Sequence, residues 1–100
     1  MNTTDSMTSS YTVMHNGYAT SATQNVASWV LNDEFLFNTA KACVEFANPG
    51  QSPWAKFVKC MMQGQIGRHL GSTPDGVAWD SAEIDTRQME QLMANLRSGY

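Results

Sequence analysis

The chain has 100 residues and a mass of 11.0 kDa, enough for one domain, or one domain with a tail. Apolar residues make up 42% and charged residues only 15%, and the net charge of −3 with a pI of about 5.1 weighs against a dedicated nucleic-acid binder. No apolar run approaches the ~18 residues of a membrane span, Met1–Ser10 shows no basic signal or transit pattern, and two cysteines, Cys43 and Cys60, are too few for a disulfide scaffold and read as free thiols of a cytosolic chain.

Residues 1–10 are rich in Ser, Thr and Asn and lack an apolar period, which predicts a disordered or weakly ordered tail ahead of a single domain over 11–100. Tyr11-Thr12-Val13-Met14 alternates as an extended stretch, and His15-Asn16-Gly17 reads as a turn because Asn and Gly tolerate positive φ. Thr20, Ser21 and Thr23 offer hydroxyl caps before a helical run over Gln24–Ala47. In it Val26, Trp29, Val30, Leu36, Phe37, Ala40, Cys43, Val44 and Ala47 share one broad apolar stripe. Asn32-Asp33-Glu34 interrupts the stripe, with Asp33 placed to cap a second helix, so two helices and one continuous helix both fit. Asn48-Pro49-Gly50 ends the run.

Ser52-Pro53 is the clearest helix start in the chain, a hydroxyl cap followed by proline at the first helical position. Trp54, Phe57, Val58, Met61, Met62, Ile66 and Leu70 follow at helical spacing, weakened at Gly64 and Gly67 and stopped at Gly71. Consecutive Met61 and Met62 point different ways, so one of them is expected at the surface. Ser72-Thr73-Pro74-Asp75-Gly76 reads as a turn in which Asp75 bonds its own backbone. Val77-Ala78-Trp79 is a short extended stretch with Trp79 as its anchor. Asp85-Thr86-Arg87-Gln88 fits a capping box, and Met89, Leu92, Met93 and Leu96 carry a last helix. The expected fold is mainly α: a compact three- or four-helix domain with a Trp-anchored loop before the last helix. Its core is drawn from Val26, Trp29, Val30, Phe37, Ala40, Val44, Phe57, Val58, Met61, Leu92 and Leu96.

Candidate chemistry is thin. Cys43, Cys60, His15 and His69 lack the close Cys or His pairs of a zinc site, and Cys43 sits on an apolar stripe where a thiol packs as a small hydrophobe. Asp33 and Glu34 are adjacent, about 100° apart on a helix, so they do not converge on one proton, and capping accounts for them better. Asp80, Glu83 and Asp85 form an acidic cluster without the spacing of a calcium loop, and it complements the start of the last helix. The glycines at 64, 67 and 71 follow a helix rather than a strand and make no phosphate loop. No catalytic, cofactor or metal residue is assigned.

Charge is uneven along the chain. Residues 1–40 hold Asp5, Asp33 and Glu34 and no Lys or Arg; 41–70 hold Lys41, Lys56, Lys59 and Arg68 against Glu45; 71–100 are acidic again. Such blocks either attract one another within the fold or offer a charged face to a partner. Of the two candidate faces, the acidic one (Asp75, Asp80, Glu83) is preferred over the basic one (Lys56, Lys59, Arg68), because loops on rigid scaffolds often carry function.

Two stretches also bear a resemblance. Tyr18-Ala19-Thr20 followed by Asn25-Val26-Ala27-Ser28-Trp29-Val30-Leu31-Asn32-Asp33-Glu34 resembles the opening of a family of small uncharacterised proteins, encoded mainly by bacteriophages with relatives on plasmids and in bacterial and cyanobacterial genomes. Ser72-Thr73-Pro74-Asp75-Gly76-Val77-Ala78-Trp79, with Ile84-Asp85 and Met89 to Leu96, resembles that family's second half, so the resemblance spans roughly 17–97. The chain departs from the pattern in three extra residues, Ser21, Ala22 and Thr23, and in an unmatched tail of about ten residues, which bears on where the first helix starts. The resemblance implies a phage or mobile-element accessory protein and no reaction.

By analogy with small acidic phage proteins, the expected function is binding and modulating a host protein complex in the host cytoplasm, through host takeover or inhibition of a defence system in an anti-CRISPR-like manner. The expectation includes no enzyme activity, no cofactor, no direct nucleic-acid contact and no membrane, with a homodimer left open. The alternatives are a small ligand- or metal-binding domain or enzyme using the acidic cluster with His69, and a virion structural or assembly protein.

Overall fold

The computed structural model describes residues 17–63 and 71–97. The expected tail, the extended stretch over 11–14, His15, and the segment carrying Gly64, Gly67, Arg68 and His69 lie outside the described residues. Among those described, four helices make up a mainly α domain: α1 (Ser21–Asn32), α2 (Glu34–Phe46), α3 (Pro53–Gln63) and α4 (Thr86–Arg97).

The run over 24–47 is two helices, and Asp33 is the reason. Its extended backbone ends α1, with its N–H donating to the Trp29 carbonyl at 2.9 Å, and its carboxylate accepts the Leu36 N–H at 3.0 Å to start α2. α1 begins three residues before Gln24, because Thr20 is the cap: its hydroxyl accepts the Thr23 N–H at 3.0 Å. Ser52 caps α3 by accepting the Ala55 N–H, with Pro53 first in the helix as expected. The Ser52 hydroxyl also donates to the Glu90 carboxylate, so the cap of α3 is tied to α4.

α2 and α4 form the central pair, each packed against the other three helices, while α1 and α3 flank them with no close backbone approach to each other. The apolar stripes meet in one core. Val26, Val30, Ala40, Val44, Phe57, Met61, Leu92 and Leu96 are buried there as expected. Trp29, Phe37 and Val58 are only half-buried and pack against the core from its edge. Their places are taken by Leu36, Trp54, Trp79, Ile84, Met89 and Met93. Phe57 sits at its centre, stacked on Trp54 (centroids 5.2 Å apart) and edge-on to Trp79 (5.4 Å). Met61 is buried and Met62 is 40% exposed, so the pair divides as its helical spacing requires. Cys43 is a core thiol.

Candidate functional site

The connection between α3 and α4 is the least regular described part of the molecule, and it carries the acidic face preferred from the sequence, Asp75, Asp80 and Glu83. Its described part, residues 71–85, begins with a small antiparallel turn: Ser72 bridges Ala78, the Thr73 N–H donates to the Val77 carbonyl at 2.9 Å, and the Gly76 N–H donates to the Thr73 carbonyl at 2.9 Å. Gly76 takes the left-handed conformation (φ 95°) that the turn needs and that a side chain would strain. From the sequence, Asp75 is expected to bond its own turn. Thr73 does that instead, its hydroxyl accepting the Val77 N–H at 3.2 Å. The connection is then nailed to the core by Trp79, 1% exposed, and by Ile84, 5% exposed.

Asp75 is freed from the turn to reach α1. Its Oδ2 accepts two hydrogen bonds at 2.8 Å, from the Trp29 indole N–H and from the Asn25 side-chain amide. Asn25 closes the circuit by accepting the Thr73 hydroxyl at 2.7 Å. Asn25 and Trp29 stand one turn apart on α1, so both reach the same turn. This polar clasp holds the Thr-Pro-Asp-Gly segment against the Asn-Val-Ala-Ser-Trp segment, the two stretches that carry the family resemblance. It also explains why Trp29 stands half-buried: its ring lies at the core edge and its N–H faces an exposed carboxylate.

The Trp29 indole N–H first, and the Asn25 amide second, hold the Asp75 carboxyl below the usual carboxylate range. A carboxyl lowered on folding adds stability above its unfolded pKa, and that stability is lost as pH falls through the folded value. Thermal unfolding should therefore show a contribution that is intact at neutral pH and decays below about pH 4. Asp75→Asn should lower the midpoint at neutral pH and remove that part of the acid sensitivity. A midpoint-versus-pH curve unchanged by the substitution would contradict the clasp.

A second network joins the starts of α1 and α4. The Thr20 hydroxyl donates to the Glu83 carbonyl at 2.7 Å, which commits its one proton. In the 2.7 Å contact between the Thr20 and Thr23 hydroxyls, Thr23 is therefore the donor. Thr23, fully buried, also accepts the Asp85 N–H at 2.7 Å. Asp85 caps α4 as expected, its carboxylate accepting the Gln88 N–H at 3.1 Å. The capping box is only half made, however. The Gln88 side chain turns away to accept the Ala19 N–H and to donate to the Gly17 carbonyl, and Thr23 supplies the acceptor that a box would have drawn from Gln88.

The connection thus runs antiparallel along α1, with Asp75 beside Trp29 and Asp85 beside Thr23. Between these fixed ends Asp80 and Glu83 are exposed. Glu83 is held by its backbone, with its N–H donating to the Ser81 hydroxyl at 3.1 Å, and Thr20 bonded to its carbonyl. Asp75 is exposed too, but its carboxylate is engaged with α1, so the three residues share a segment and differ in what they present. On the basic face Lys59 is exposed and Lys56 half-buried, while Arg68 lies outside the described residues. Thr20 and Thr23 were expected only as hydroxyl caps for the first helix, and Thr20 is that cap; their bonds to the α4 entry, and the part played by Asn25, were not expected from the sequence. Asn25, one turn before Trp29, was the available signal.

Among the described residues no three His, Cys, Asp or Glu side chains gather into a metal-binding group. No helix among them is long and apolar enough to cross a membrane. No curated protein and no solved structure matches the chain. Residues 11–99, which include both halves of the clasp, match the model of a family of unknown function (DUF7249), and the chain belongs to that family.

Proposed function

We propose that the chain is a small accessory protein of phage type that acts by binding: it docks on a basic face of a host protein complex in the host cytoplasm and modulates it, by host takeover or inhibition of a defence system. One observation carries the docking part of this reading. The described part of the α3–α4 connection, residues 71–85, has no helix of its own, yet it is fixed by the clasp at Asp75, by the buried anchors Trp79 and Ile84, and by the Thr20 and Thr23 network. Asp80 and Glu83 are displayed to solvent from that fixed frame. A loop already held in one conformation loses little entropy on binding, and exposed carboxylates favour encounter with a basic partner. Asp75 belongs to the frame as a positioning group, at the edge of the surface. The phage and host parts of the reading rest on the resemblance of the two motifs.

Affinity purification of the tagged chain from host lysate tests it. The expected result is a protein partner retained in stoichiometric amount by wild type and lost by Asp80→Lys with Glu83→Lys. A metal or small molecule retained without any protein partner would contradict the proposal and favour the ligand-binding alternative.

A further inference from the structure

The connection between α2 and α3 and one stripe of α4 line a surface cavity of about 530 Å³, to which residues 71–85 contribute nothing. Its size falls within the roughly 300–1,000 Å³ of small-ligand pockets. The α4 wall is ordered turn by turn. Glu90, Met93, Ala94 and Arg97 stand at i, i+3, i+4 and i+7, so a carboxylate, an apolar floor and a guanidinium follow one another along one stripe. The other wall carries Pro49 and Pro53. Its connection is braced by two hydrogen bonds at 2.9 Å, from the Asn48 N–H to the Gln51 side-chain carbonyl and from the Gln51 N–H to the Asn48 carbonyl. Glu90 is itself held in place: half-buried, it accepts the Ser52 hydroxyl at Oε2, which leaves Oε1 for a guest. The two charged residues are set about 10 Å apart along the helix axis with apolar groups between them. That pattern suits a guest with a cation at one end of an aliphatic chain and an anion at the other.

We propose that this cavity binds the C-terminal lysine of a protein partner. The lysine ammonium donates to Glu90, its methylenes lie along Met93, Ala94 and the two prolines, and its terminal carboxylate pairs with Arg97. Two features select this guest. Ser52 occupies one Glu90 oxygen, so the remaining one suits the single point charge of an ammonium, whereas the guanidinium fork of arginine is best matched by both oxygens. A free amino acid would also set its α-ammonium beside Arg97, a like-charge contact; within a polypeptide that nitrogen is an uncharged amide. The site uses none of the acidic segment, so it goes beyond docking through Asp80 and Glu83, and either reading can fail alone.

The test titrates the isotope-labelled full chain with Nα-acetyl-L-lysine, which carries the charges of a C-terminal lysine, and follows the backbone amide resonances. Saturable shifts are expected at Gly50, Gln51 and Ala94. Nα-acetyl-L-lysinamide, which lacks the carboxylate, should bind at least about tenfold more weakly, and Arg97→Gln should remove that difference. Glu90→Gln, whose side-chain carbonyl can still accept the Ser52 hydroxyl, should weaken Nα-acetyl-L-lysine by a similar factor. Free L-lysine and Nα-acetyl-L-arginine should both bind more weakly than Nα-acetyl-L-lysine. Shifts that do not saturate, or that saturate only away from the cavity, would overturn the proposal, as would equal binding of the amide. Free lysine binding as tightly would make this an amino-acid site, and arginine binding as tightly would remove the point-charge recognition; either result also overturns it. The ligand comparisons need only wild type, so a poorly folded variant leaves the test intact.

Discussion

Phe57→Ala is expected to cost about 3–5 kcal/mol, toward the upper end of that range. The side chain is fully buried, so its removal leaves a cavity that α2, α3 and α4 close only in part. It also removes both aromatic contacts, the stack on Trp54 and the edge contact with Trp79, each worth roughly 0.5–1.5 kcal/mol beyond buried area. Set against the 5–15 kcal/mol that typically separates folded from unfolded chains, the substitution should leave the domain barely folded. Because Trp79 anchors the α3–α4 connection, the loss should also loosen the acidic segment. Urea denaturation followed by tryptophan fluorescence measures it. Phe57→Leu, which keeps much of the apolar volume but loses both ring contacts, should cost about 1–3 kcal/mol, less than alanine. An alanine variant within about 1 kcal/mol of wild type would mean that the aromatic cluster is not the centre of the core.

The second large effect is expected at Thr23→Val, a change of shape by almost nothing. The hydroxyl it removes is fully buried, donates to Thr20 and accepts the Asp85 N–H. Valine leaves that N–H without its partner at the start of α4, where an unsatisfied buried donor costs about 1–3 kcal/mol. Thr23→Ser keeps the bond and loses one methyl, about 1 kcal/mol. Denaturant midpoints for the two variants should therefore fall in the order wild type, serine, valine, and amide hydrogen exchange at Asp85 should speed up only in valine. A double-mutant cycle with Thr20→Ala should show a coupling of at least about 0.5 kcal/mol. Serine and valine variants of equal stability would show that the methyl, not the hydroxyl, is what the position needs.

The helices were legible because each depends on residues close in sequence. Ser52-Pro53 and Asp85 each announce a helix start on their own, and the three- and four-residue apolar spacing locates the buried stripes of α2, α3 and α4. The hydrogen bonds that fix the connection were not legible, because their partners lie far apart. Asp75 answers Trp29 across 46 positions and Asp85 answers Thr23 across 62. Local chemistry gave Asp75 a bond within its own turn, and Gln88 a bond to its own cap. In the fold the nearer competitor at each place was a side chain or backbone group of the α1 segment. Trp29 shows the same limit from the other side: its period puts it on the apolar stripe, and only the position of Asp75 explains why its polar edge is outside. Asp80 and Glu83 were visible as acidic residues, but the frame that holds their segment comes from Trp79, Ile84 and Thr20, through contacts no local pattern encodes.

The affinity of the purified chain for its captured partner as a function of salt is the most direct test of docking through Asp80 and Glu83. Asp85 stays intact in every variant, because losing that cap costs about 1 kcal/mol of stability on its own. Wild type should bind more weakly as salt rises, since screening shortens the reach of exposed carboxylates. Asp80→Lys with Glu83→Lys should weaken binding most at low salt and flatten the salt dependence, while Lys56→Glu with Lys59→Glu should leave both nearly unchanged. If the acidic reversal changes neither affinity nor salt dependence and the basic reversal abolishes binding, the partner docks on α3 and the proposal is wrong.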